Sequence, residues 1–160
     1  VVYYSRSGHT QAMARQIART YDADLVRLGA TAYTLDLAGW RRVAGDARNE
    51  LETAIVPETV DMRPYDLVFL GSPIWLFRPA PPLWTFARHN DFAGASVVLF
   101  NTYNSRFIDE NIQQFRTLIE NRGGNYLAHI HVRRGRVFWQ KSAEEILQET
   151  RQQLEALAQP

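Results

Sequence analysis

A chain of 160 residues with 46% apolar content is sized for one domain with a single buried core. Its net charge of +1 comes without an arginine-rich tail or basic repeat, so nucleic acid is not expected as a partner, and no apolar run approaches membrane-spanning length. The absence of cysteine removes disulfides, thiolate metal sites and cysteine nucleophiles together, which fits a cytoplasmic chain. The sequence opens inside an apparent strand, so a few residues, and any leader, are expected to precede Val1.

The first apolar run, Val1 to Tyr4, leads into Ser5-Arg6-Ser7-Gly8-His9-Thr10. Beyond it Met13, Ala14, Ile17, Ala18 and Tyr21 recur at helical spacing. The loop therefore delivers the chain from a strand end onto a helix N-terminus, where orphan N–H groups and the helix dipole favour an anion. Hydroxyls and a glycine suit a phosphate, but Ser, Thr and Gly serve turns and caps equally well. Asp24 to Leu28 is a short strand candidate, and Trp40, Val43, Ala47 and Leu51 suggest a second helix, weakened by Gly39 and Gly45. Asp66 to Leu70 reads as a strand stopped by Gly71-Ser72-Pro73. Pro81-Pro82 opens a short helix, proline being tolerated in a first turn. Ser96 to Phe100 is a strand leading into the loop Asn101-Thr102-Tyr103-Asn104-Ser105. Ile108, Ile112, Phe115 and Ile119 mark a helix ended by Gly123-Gly124, and Leu127 to Val132 is the last strand. Ser142 and Glu145 form a capping box before the final helix.

Strands alternating with helices imply an α/β fold with a doubly wound parallel sheet and right-handed crossovers. The first, third and fourth strands are almost continuously apolar, as burial on both faces requires. The second carries Asp24 and Arg27, and the fifth alternates His129, His131 and Arg133 with Ile130 and Val132, which places both at edges. The expected order is 2-1-3-4-5, with a ligand crevice between strands one and three at their carboxyl ends. The Ser5 to Thr10 loop lies at that crevice.

Chemistry excludes several enzymes of this architecture. No lysine precedes Lys141, so there is no P-loop, and Gly8 alone cannot make a dinucleotide fingerprint. A phosphoacceptor aspartate is missing where Gly71-Ser72 ends strand three, and no nucleophile elbow is present. The four histidines show no metal-ligand spacing and read as surface or edge-strand residues. What remains is a phosphate-type loop facing segments rich in flat side chains: Pro73-Ile74-Trp75-Leu76-Phe77 after strand three and Tyr103 after strand four. Such planes suit the two broad faces of an isoalloxazine, although tryptophans usually serve packing alone.

The opening Val2 to Thr10, with His9 where Asn is more usual, and the run Tyr65 to Trp75 followed by Pro81-Pro82-Leu83 and Thr85-Phe86, resemble flavodoxins and flavodoxin-like FMN-binding proteins of the short-chain form. The resemblance implies a three-layer sandwich in one domain. It implies that Ser5, Arg6, Ser7, Gly8, His9 and Thr10 hold the FMN phosphate. Pro73, Ile74, Trp75, Leu76 and Phe77 would line the ribityl chain and one flavin face. Asn101, Thr102, Tyr103, Asn104 and Ser105 would cover the other side, with Tyr103 stacking. Related chains often carry glycine shortly after the tryptophan, where a peptide flip stabilises the neutral semiquinone. Leu76-Phe77-Arg78 is expected to resist the positive φ this needs.

The three loops contribute Arg6, Arg78 and Arg106 and no acidic residue, a balance that favours anionic reduced flavin and an anionic donor or acceptor. The expected activity is an FMN-dependent oxidoreductase passing electrons or hydride, with NAD(P)H and a quinone-like acceptor as candidate partners. Two alternatives stay open: a one-electron carrier for a redox protein partner, and a non-redox binding or scaffold protein that keeps the fold.

Overall fold

The computed structural model describes residues 1–30, 52–136 and 138–158. The expected second helix on Trp40, Val43, Ala47 and Leu51 lies outside them. Chain order gives β1 (Val2–Tyr3), α1 (His9–Tyr21), β2 (Val26–Arg27), β3 (Leu67–Trp75), β4 (Arg78–Pro79) and α2 (Pro81–His89). Then come β5 (Ser96–Tyr103), α3 (Asp109–Asn121), β6 (Asn125–Arg133), β7 (Gly135–Arg136), β8 (Trp139–Gln140) and α4 (Ala143–Leu157).

The main sheet has the order β2-β1-β3-β5-β6, with all four pairings parallel. The order expected from strand polarity is the one observed: β2 and β6, which carry the charged and histidine positions, are the edges. The topological switch lies between β1 and β3, where Val2 pairs with Leu70 and Tyr3 with Gly71. Alternation on the central strands feeds two cores. Val68, Leu70, Val97 and Leu99 pack with Leu83 and Phe86 of α2 and Phe115 and Ile119 of α3. Phe69, Val98 and Phe100 pack on the opposite face with Met13 and Ile17 of α1 and Ile146 and Leu154 of α4. Three layers result. α4 begins on the expected capping box, with the Ser142 hydroxyl accepting from the Glu145 N–H and the Glu145 carboxylate accepting from the Ser142 N–H.

Two strands run further than their sequences suggest. Gly71-Ser72-Pro73 does not stop β3; Gly71 pairs with both Tyr3 and Phe100, and Ser72 and Pro73 pair with Asn101 and Thr102. Gly71 is there for proximity, since a Cβ on it would lie 2.0 Å from the Phe100 ring. β5 likewise continues through Asn101 and Thr102 to Tyr103, so two polar residues expected in a loop sit buried in a central strand. Polar pairing makes that burial tolerable. The Asn101 amide donates to the Ser72 carbonyl at 2.7 Å, and the Thr10 and Thr102 hydroxyls bond each other at 2.8 Å.

Two antiparallel hairpins extend the same end of the sheet. β4 folds back on β3 with Trp75 opposite Arg78, and β7 pairs with β8 after the chain leaves β6. Among the described residues no helix is long and apolar enough to cross a membrane.

Candidate functional site

The crevice at the carboxyl ends of β1, β3 and β5 is built first from the loop before α1. Tyr4 extends β1 by donating its N–H to the Gly71 carbonyl at 2.8 Å, and Ser5 is buried with its hydroxyl accepting from the Gly8 N–H at 3.2 Å. This internal bond closes the turn. Gly8, at φ 89°, is the N-cap of α1, and none of the described residues lies within 4 Å of where its Cβ would be. Among the described residues no side chain caps α1, and its first turn holds no acidic residue. The opening amides of the helix thus keep their orphan donors at the positive end of its dipole. Arg134 approaches from the far end of the chain and donates from Nη1 to the Ser7 hydroxyl at 3.1 Å. Ser7 also bonds the His9 Nδ1 at 3.0 Å. Burial and then the Arg134 charge hold His9 below its ordinary pKa, which favours the neutral imidazole at pH 7.

The second wall is the β3–β4 hairpin. Leu76 and Phe77 form its two-residue loop at φ 45° and 70°. Positive φ at both central residues is the signature of the type I′ turn, whose twist matches the strands it joins. The expectation that bulky residues would resist positive φ here is therefore overturned. The conformation is held from α3, as Asn111 donates its amide to the Phe77 carbonyl at 3.2 Å and accepts from Arg78 at 3.0 Å. The Ile108 N–H adds a second bond to the same carbonyl at 3.0 Å. Arg106 lies 5.1 Å over the Phe77 ring. Trp75 meets the buried Tyr4 ring edge-on at 5.5 Å, so the indole is held as a half-buried plane beside the first loop.

The third wall joins β5 to β6. Tyr103 packs edge-on against Phe107 at 5.3 Å and His131 at 5.6 Å, while Phe107 touches His129 at 5.1 Å. His129 bonds Asn101 through Nε2 at 2.9 Å, and burial above all, with His131 adding repulsion, lowers its pKa to about 3. Asn104 and Ser105 are exposed beyond Tyr103, the Asn104 carbonyl accepting from Arg133 at 3.3 Å. Among the described residues no group of three His, Cys, Asp or Glu could hold a metal.

The sixteen residues expected at the site divide by role. Ser5 to Thr10 and Pro73 to Phe77 stand at one end of the sheet, together with Tyr103. Asn101 and Thr102 are buried under them, bonded to Ser72, His129 and Thr10. Sequence reading missed Arg134, Asn111 and Phe107. The only available signal for Arg134 was its arginine-rich, glycine-containing surroundings, Arg133-Arg134-Gly135-Arg136.

A family model described as flavodoxin matches residues 1–149. Solved structures share the fold. A flavoprotein in complex with FMN from Lactobacillus acidophilus NCFM is 24% identical, with 81% of this chain and 89% of that chain covered and a TM-score of 0.67. A Bacteroides uniformis ATCC 8492 protein, provisionally classed as a flavoprotein, is 23% identical over 92% of this chain and 93% of that one, at a TM-score of 0.74. Oxidised flavodoxin 1 from Bacillus cereus is 16% identical over 96% and 95%, at 0.57. No curated protein matches the chain.

Proposed function

The chain belongs to the flavodoxin family, and from that premise we propose that it binds FMN in the β1–β3 crevice and acts as an oxidoreductase, with NAD(P)H as donor and a quinone-like compound as acceptor. The observation that carries this reading is the start of α1. Among the described residues it is uncapped, free of acidic side chains in its first turn and open in front of Gly8, and it stands beside Arg134 at the sheet end that also presents Trp75 and Tyr103. Those residues fit a phosphate joined to a flat ring system.

Bound there, FMN supplies the hydride and electron chemistry. The chain's residues bind and orient. Ser5 to Thr10 offer amides to the phosphate, with hydroxyls from Ser5 and Ser7; Pro73 to Phe77 line the ribityl chain and one ring face; Tyr103, Asn104 and Ser105 border the other. Asn101 and Thr102 support these from beneath through their bonds to Ser72 and Thr10. Arg6, Arg78 and Arg106 supply a positive potential that favours negative charge on the reduced ring and draws in an anionic donor. No side chain is assigned as acid or base.

Titration of the purified protein with FMN, followed by visible absorbance and fluorescence quenching, tests the reading. Saturable binding that Ser7→Asp severely weakens is expected, because a carboxylate would face the phosphate. Unchanged affinity in that variant would show the loop to be misassigned, and no binding by the wild type would leave a non-redox role. The second reading, a one-electron carrier, is favoured by the positive φ already adopted at Leu76 and Phe77. Photoreduction separates the two: a long-wavelength-absorbing one-electron form accumulating in quantity supports the carrier.

A further inference from the structure

Arg134 occupies a position that no part of the phosphate loop explains. It lies 127 residues from Ser7, in the link between edge strand β6 and the β7–β8 hairpin, yet its guanidinium reaches the Ser7 hydroxyl at 3.1 Å. Its backbone is fixed on both sides: the N–H donates to the Tyr103 carbonyl at 2.7 Å, and its own carbonyl accepts from the Lys141 N–H at 2.8 Å. The hairpin behind it is tightly built, since a Cβ on Gly135 would fall 2.1 Å from the Trp139 carbonyl oxygen. Within this frame Arg134 Nε is buried and has no hydrogen-bond partner among the described residues. A guanidinium offers five donors in a planar fork, and the Ser7 bond engages one of them.

We infer that Arg134 is a phosphate-binding residue, which adds its guanidinium to the α1 amides around the phosphate of FMN and makes the chain select the phosphorylated flavin over riboflavin. The inference rests on the proposed FMN reading and adds a residue to it. A neutral loop of amides and hydroxyls satisfies a phosphate by hydrogen bonding alone; a planar guanidinium adds charge and the option of a bidentate contact. Ser7 serves as its resting partner, because the same hydroxyl stands where the phosphate is expected. The hairpin sets the reach of the arginine, so hairpin geometry and phosphate affinity are linked.

The test measures FMN and riboflavin affinity side by side for the wild type, Arg134→Gln and Gly135→Ala, with thermal unfolding as a check on folding. Arg134→Gln is expected to lose about ten- to hundredfold in FMN affinity, the range for a hydrogen bond to a charged group, while riboflavin affinity stays at the wild-type level. Gly135→Ala, which leaves the guanidinium intact and moves its frame, is expected to lose FMN affinity in the same selective way. The wild-type preference for FMN should shrink as salt is raised, and should be less salt-dependent in Arg134→Gln. Equal loss of both flavins would make Arg134 a structural strut, and wild-type FMN affinity in Arg134→Gln would remove it from the site while leaving the flavin reading intact. A wild type that binds neither flavin overturns both.

Discussion

Asn101 and His129 meet in a hydrogen bond of 2.9 Å that fixes the tautomer of the neutral imidazole. The Asn101 amide nitrogen donates to the Ser72 carbonyl, so its oxygen is the atom facing His129, and Nε2 of the ring must carry the hydrogen. Neutral His129 satisfies this arrangement already. A second proton would be placed in a desolvated position next to His131, which is why the pKa falls to about 3.

The pH dependence of stability follows with a definite sign. Between the ordinary histidine pKa of about 6.5 and the folded value, the unfolded chain binds a proton at this residue that the native chain refuses. Stability is therefore fully present above that window and lost as pH falls through it, at most about 1.4 kcal/mol per pH unit from this group. His131 adds in the same direction, since burial lowers its pKa although Asp109 opposes the shift. Denaturant unfolding of the wild type and His129→Gln between pH 7 and 4 checks this. The variant keeps a donor and loses the titration, so its stability should decline less steeply; parallel curves would show that His129 is not the group refusing the proton.

Gly71 is the point at which β1, β3 and β5 are drawn together. An alanine Cβ would sit 2.0 to 2.4 Å from three atoms of the fully buried Phe100 ring, and that ring has Val98, Phe69 and Val132 as neighbours in the same core. Gly71→Ala should cost about 3 kcal/mol, at the upper end for overpacking. Adding Phe100→Leu, which vacates the ring position, should recover part of that loss. A thermal unfolding series of the two single variants and the double variant reads the coupling, and strict additivity would mean that the ring is not what Gly71 accommodates.

The strand order was legible because polarity is set by burial: Arg27 on one edge strand, with Asp24 just before it, and His129, His131 and Arg133 on the other leave the apolar strands only the central positions. The phosphate-type loop was legible because a strand, a short polar turn and a helix are contiguous in sequence. Long-range compensation was not. Nothing in Trp75-Leu76-Phe77-Arg78 signals a type I′ turn, which normally asks for Asn or Gly. The bonds that hold it come from Ile108 and Asn111, more than thirty residues downstream. Asn101 misled in the same way, since a polar residue after an apolar run reads as a loop until its partners Ser72 and His129 are known.

Asn111 should accordingly matter more than its place in the first turn of α3 suggests. Asn111→Ala removes the amide bond to the Phe77 carbonyl and the acceptor for Arg78, and should destabilise by about 2 kcal/mol, two modest hydrogen bonds' worth. Exposed Asn104→Ala is the control, expected to change stability by less than about 0.5 kcal/mol. Because a left-handed leucine costs roughly 1–2 kcal/mol, Leu76→Gly in the Asn111→Ala background should restore part of the loss. No restoration would mean that Asn111 does not stabilise the strained turn.

Thr10 and Thr102 both stand among the residues that resemblance assigned to the cofactor, yet each is buried and their hydroxyls bond each other at 2.8 Å. The pair ties the first turn of α1 to the carboxyl end of β5, which fixes the phosphate loop relative to Tyr103. Replacing one partner strands the other: Thr10→Val or Thr102→Val alone should cost about 1–3 kcal/mol through the unpaired buried hydroxyl. The double variant replaces both with an isosteric apolar contact and should fall well short of the summed losses, so a double-mutant cycle should show a favourable coupling between the hydroxyls. Flavin affinity supplies the functional arm. If the hydroxyls serve each other, the double valine variant binds FMN as the wild type does, because the helix amides and Ser5, Ser7 and Gly8 remain in place. A selective loss of FMN over riboflavin affinity in Thr10→Val, retained in the double variant, would instead make the Thr10 hydroxyl a phosphate ligand.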